Sequence, residues 1–115
     1  MPSPPPVLTD CPVDLDHLAR MTSGERGLER EVLQLFLTQT SRLVAALDSL
    51  PAETATLSHT LKGSARAIGA VRVADSAAAL EEAVRLGRDS SAELAAVHAA
   101  VAEAQAAIEA LLRRS

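Results

Sequence analysis

A chain of 115 residues is enough for one domain around one hydrophobic core. Its residues are 48% hydrophobic, with one Phe and no Trp or Tyr, and this alanine- and leucine-rich composition points to an all-α fold. The net charge of −4 leaves no basic stripe to neutralise phosphates, which argues against nucleic acid and anionic membranes as partners.

Residues 1–12 are proline-rich and read as a flexible tail ahead of a folded domain over 13–115. The tail has no basic stretch followed by an apolar core, so it is not a secretory signal. No apolar run approaches the roughly 20 residues that a bilayer crossing needs. Cys11 is the sole cysteine, which excludes an internal disulfide and favours a reducing compartment. A cytoplasmic location is the resulting expectation.

"VDLDHLARM" reads as a short helix with Asp14 as its N-cap and Leu15, Leu18 and Met21 on one face. His17 on that helix reads as a solvated residue. "TSG" at 22–24 interrupts the pattern, and a long helix follows from about Glu25 to Ser49. Its apolar positions Leu28, Val32, Leu35, Phe36, Leu43, Leu47 and Leu50 recur at helical spacing, with a gap around Gln39. Pro51 suits the first turn of a third helix, and Glu53 complements its dipole. That helix runs to Ile68, with Gly69 as a left-handed cap. A fourth spans Val71 to Leu86 and ends at Gly87. "SSAE" at 90–93 reads as a capping box, Ser90 with Glu93. The last helix then carries Leu94, Val97, Val101, Ala104, Ile108 and Leu111 at a 3-4-3-4-3 spacing. The expected fold is an antiparallel four-helix bundle with a short extra N-terminal helix as a lid.

The chemistry gathers in "LSHTLKGSARAIGA", residues 57–70. At about 100° per residue, Leu57, Leu61, Ser64, Ala65 and Ile68 fall opposite His59 and form the core side. Ala52, Ala55, Thr56, Lys62, Gly63 and Arg66 share the face of His59. The histidine is therefore not a core residue. It is either a solvated surface side chain or a reactive one. Gly63, one turn away, costs about 1 kcal/mol relative to alanine in a helix, and its bare backbone admits close approach by another molecule. Lys62 and Arg66 bring positive charge that suits a phosphoryl group. His17 and His98 lie apart from His59, so no metal-binding spacing is present; His98 reads as a boundary residue of the last helix.

His59-Thr60-Leu61-Lys62-Gly63, followed by Gly69-Ala70, resembles the signature of histidine-containing phosphotransfer (HPt) domains, H-x-L-K-G-x-x-x-x-x-G-A. The resemblance implies a four-helix bundle that relays a phosphoryl group between receiver-domain aspartates in two-component signalling. Carried onto this chain, it makes His59 the phosphorylated nucleophile through Nε2. It makes Lys62 its electrostatic support, with Arg66 beside it, and Gly63, Ala55 and Thr56 a docking face. The implied partners are response-regulator receiver domains and a hybrid sensor histidine kinase. The receiver would bring Mg²⁺, and this chain would bind no cofactor or metal of its own.

Geometry suggests one more residue. In an antiparallel pair turning near Gly69 and Ala70, His59 stands level with Leu80 and Glu81. Glu81 then either accepts the Nδ1 proton and orients the ring or is an ordinary surface carboxylate. No nucleotide loop is visible, so the chain should be a phosphocarrier rather than an autokinase, acting as a monomer. The alternative is a non-phosphorylated helical adaptor that binds or sequesters a receiver. The initiating Met favours a free-standing protein over a piece of a hybrid kinase.

Overall fold

The structure, a computed structural model, describes residues 12–49 and 52–114. The expectations for the tail over residues 1–11, for Cys11, and for Leu50 and Pro51 fall outside those residues. The described residues form five helices and no strand: α1 (Leu15–Met21), α2 (Arg26–Leu47), α3 (Thr54–Ala67), α4 (Val71–Arg85) and α5 (Ser91–Arg114). Helices α2 to α5 form a closed ring in which each packs on its sequence neighbour and α5 returns to α2. The core is built from one stripe per helix, including Phe36 and Leu47, Leu61 and Ala65, Ala77 and Leu80, and Val97 and Ile108.

On α2 the observed stripe differs from the expected one. Leu28 and Leu35 are 41% and 71% exposed, whereas Leu33 is buried. The buried positions are Leu33, Phe36, Thr40, Leu43 and Leu47, an unbroken 3-4-3-4 spacing. Thr40 fills the apparent gap. Its hydroxyl donates to the Phe36 carbonyl at 2.8 Å and accepts from Gln105 Nε2 at 3.0 Å. A threonine so satisfied occupies a core position without leaving a polar group unpaired.

The start of α5 also differs. Asp89, not Ser90, receives the hydrogen bonds, accepting from the Ser91 N–H at 3.0 Å and the Ser91 hydroxyl at 2.8 Å. The Ser91 backbone bond, followed by the hydroxyl, holds the Asp89 carboxyl below its ordinary range. Glu93 closes no capping box, and its Oε1 is buried without a hydrogen bond. Helix α5 is long and apolar enough, by length and composition, to cross a bilayer, contrary to the reading that no run comes near that length. Its apolarity is mostly alanine. Here Val97, Ala100, Val101, Ala104 and Ile108 are buried as one wall of the bundle, and Glu103 pairs with Arg72 at 2.9 Å.

Helix α1 closes the bundle end that holds the α3–α4 turn. Asp14 caps it, accepting from the His17 N–H at 3.0 Å. The Asp14 N–H donates to the Gly69 carbonyl at 3.0 Å, and His17 Nε2–H donates to the Ala67 carbonyl at 3.1 Å. His17 is thus a tie between the lid and an α3 terminal carbonyl that would otherwise lack a partner, not a merely solvated residue. Gly69 has φ +74°, and a Cβ there would lie 2.5 Å from Asp14 Cβ. Both conditions demand glycine at this position.

Candidate functional site

Helix α3 buries Thr54, Ser58, Leu61 and Ala65. His59 is one residue beyond the buried Ser58 and two before Leu61, so helical geometry pushes its side chain out at the edge of the buried stripe. It is 65% exposed. Helix α4 packs closely on α3 because its inner face is small: Ala74, Ala77 and Ala83 are buried beside Val73 and Leu80. That close antiparallel approach brings Glu81 beneath the imidazole.

Glu81 is only 7% exposed and is the organising group of the site. Its Oε1 accepts from Lys62 Nζ at 2.9 Å. Its Oε2 faces His59 Nδ1 at 3.2 Å and accepts from Arg85 Nε at 3.2 Å and from an Arg85 terminal nitrogen at 2.9 Å. The Lys62 hydrogen bond pulls the Glu81 carboxyl down most strongly. Burial opposes it, Arg85 adds to it, and the net result is a fall from 4.5 to about 2. An ionised carboxylate can only accept, so the hydrogen of that contact resides on Nδ1. In the neutral ring this leaves the lone pair on Nε2. Nε2 lies on the far edge of an exposed ring and makes no hydrogen bond among the described residues.

The cations around Glu81 differ in character. The Lys62 side chain is 18% exposed and that of Arg85 is 61% exposed. One carboxylate between two cations leaves a surplus positive charge beside His59. On the α4 side, an open depression of about 410 Å³ is lined by Lys62, Ala78, Glu81, Glu82, Arg85 and Leu86.

The remaining site candidates separate by position. Gly63 has ordinary helical geometry, and a Cβ placed there meets nothing within 4 Å. Internal packing therefore gives no reason for glycine at 63, in contrast to Gly69. Thr56 is exposed and Ala55 half-buried, one turn before His59. Arg66 is not brought into the Glu81 cluster. It is two turns further along α3, lining a depression of about 270 Å³ with Asp14, His17, Gly69 and Asp75 at the lid. The cation missed in the sequence reading is Arg85. Its signal was available, since Glu81 and Arg85 stand at i and i+4 on one helix, an acid followed by a base one turn on. His98 donates through Nε2–H to Asp48 Oδ1 and ties α5 to the end of α2, away from this site.

A family model described as Hpt domain matches residues 31–114, from α2 to the end of α5. No curated protein and no solved structure matches the chain.

Proposed function

This chain belongs to the Hpt domain family, and we propose that it relays a phosphoryl group between receiver-domain aspartates through a phosphohistidine at His59. Hpt domains are four-helix phosphocarriers that interact with receiver domains in phosphorelays. The observation that carries the assignment to His59 is its bond to Glu81: Nδ1 is held inward by a buried carboxylate while the ring is 65% exposed.

The chemistry follows from that arrangement. The Nε2 lone pair attacks the phosphorus of an aspartyl phosphate. The N–P bond forms as the P–O bond to the aspartate breaks, and the electron pair leaves with the receiver's carboxylate. Nδ1 keeps its hydrogen, so no proton has to depart. The positive charge that develops on the ring lies beside the ionised Glu81. Return transfer reverses these steps. Mg²⁺ held by the receiver would neutralise charge on the moving group, which lowers the barrier mainly by electrostatics and positioning. This chain contributes an oriented nucleophile, the surplus charge of Lys62 and Arg85, and a docking face over Ala55, Thr56 and Gly63. A bare backbone at Gly63 lets the partner's loops approach the ring.

The donor in this reading is a receiver domain, with a hybrid sensor histidine kinase upstream, and the chain acts in the cytoplasm as a monomer with no kinase activity of its own. The test is incubation with a panel of phosphorylated receiver domains, scored by label on the chain. The label should be acid-labile and alkali-stable, as a phosphoramidate is. A chain that binds receivers yet takes no label is the adaptor instead.

A further inference from the structure

The HPt motif singles out Lys62 as the cation that assists phosphoryl transfer, but the hydrogen bonds of Glu81 divide the work differently. We infer that Lys62 is the permanent counterion of Glu81, and that Arg85 is the side chain that leaves Glu81 to bind the phosphoryl group on His59. This rests on the relay reading and specifies which residue handles the phosphoryl group.

Glu81 is 7% exposed, so each of its oxygens needs a donor. Lys62 is the donor to Oε1, at 2.9 Å. If Lys62 turned to the phosphoryl group, Oε1 would be left bare in a buried place. Oε2, by contrast, has two partners: the His59 Nδ1–H at 3.2 Å and the Arg85 guanidinium at 2.9 Å. If Arg85 leaves, Oε2 keeps His59, Oε1 keeps Lys62, and the carboxylate keeps a full counterion. Removing one partner of a buried charge is costly, and removing a redundant one is not.

Exposure agrees with the same division. Both side chains line the open depression of about 410 Å³, but that of Lys62 is 18% exposed whereas that of Arg85 is 61% exposed. Chemistry agrees as well. A guanidinium presents a planar fork that grips two phosphoryl oxygens at once, whereas an ammonium acts as a point charge. Phosphorylation strengthens the drive, since Nε2 gains a group with about two negative charges next to a surplus cation. Arg85 already shares one carboxylate oxygen with the histidine that receives that group.

Single-turnover transfer from a receiver domain charged with acetyl phosphate tests the inference. The chains compared are wild type, Arg85→Ala, Arg85→Lys and Lys62→Ala, each also followed by thermal unfolding. Arg85→Ala should transfer at least about tenfold more slowly, with its melting temperature within about 2 °C of wild type. Arg85→Lys should recover only part of the rate, because it restores charge without the fork. Lys62→Ala should lose more thermal stability than Arg85→Ala and less rate. Wild-type rates in Arg85→Ala, or a larger rate loss in Lys62→Ala at unchanged stability, would return the role to Lys62 and overturn the inference. Should Arg85→Ala fail to fold, Arg85 is not redundant to Glu81 and the inference also fails. If wild type takes no label from any receiver while all four chains fold, the relay reading itself has failed, and this inference falls with it.

Discussion

His59 Nδ1 and Glu81 Oε2 stand 3.2 Å apart across the α3–α4 interface, an exposed imidazole resting on a buried carboxylate. The contact is made by two residues 22 positions apart in sequence that the α3–α4 turn at Gly69 and Ala70 brings to one height. It fixes which ring nitrogen carries hydrogen, and so which one is free to react.

Replacing Glu81 tests how much of the site depends on it. Glu81→Gln keeps a carbonyl oxygen for the Nδ1–H but removes the counterion of Lys62 and Arg85. The expected loss is about 1–3 kcal/mol near neutral pH, read from urea unfolding. Transfer should slow as well, because the amide no longer offsets charge developing on the ring. Unchanged stability and rate would mean that the carboxylate is a bystander.

The same pair of chains should respond to acid in a defined window. The folded-state value of Glu81 is depressed from 4.5 to about 2. Its stabilisation is therefore fully present above about pH 4.5 and is lost as pH falls toward 2. Melts of wild type and Glu81→Gln from pH 6 to 2 should show a constant gap at the upper end that closes across that interval. A gap of the same size at every pH contradicts the ion-pair cluster.

The glycines offer a contrast within one motif. Gly63 looks into open space, so Gly63→Ala should raise stability by up to about 1 kcal/mol. Gly63→Leu should remain folded yet slow transfer by obstructing the partner. Gly69→Ala should destabilise by more than about 1 kcal/mol, because the left-handed backbone and the 2.5 Å approach to Asp14 both oppose a side chain. Equilibrium unfolding of the three variants settles the ordering. Unfolding of Gly63→Leu, or indifference to Gly69→Ala, would reverse these assignments.

The parts of the fold that could be read from sequence are those with redundant signals. Helix α3 has an apolar stripe, a glycine stop and a motif, and these agree; its register placed His59 outside the core and level with Glu81. Helix α2 misled because leucines are plentiful on it. Leu28 and Leu35 looked like core, but the stripe runs through Thr40, whose burial depends on a bond to its own helix that hydrophobic periodicity does not count. Ser90 keeps the N-cap position through its carbonyl, which accepts from the Leu94 N–H at 2.9 Å, but the side-chain acceptor at this helix start is Asp89, one residue earlier, a choice that spacing alone does not make. His17 read as solvated because its own pattern does not reveal the bond to the Ala67 carbonyl, and Arg66 shares the face of His59 but stands two turns away along α3, beside the lid. Arg85 enters the site only through Glu81, one turn before it on α4, and so carries no signal on the histidine's own helix.

The measurement closest to the central claim is labelling of wild type and His59→Gln by phosphorylated receiver domains, with circular dichroism melts of both. Label should appear on wild type within seconds to minutes, with none from ATP and Mg²⁺ alone and none on His59→Gln. Because His59 is a surface residue whose loss leaves Lys62 and Arg85 on Glu81, the two melts should agree to within about 0.5 kcal/mol. A His59→Gln chain that folds and still accepts the phosphoryl group at the wild-type rate would remove His59 from the reaction and contradict the account.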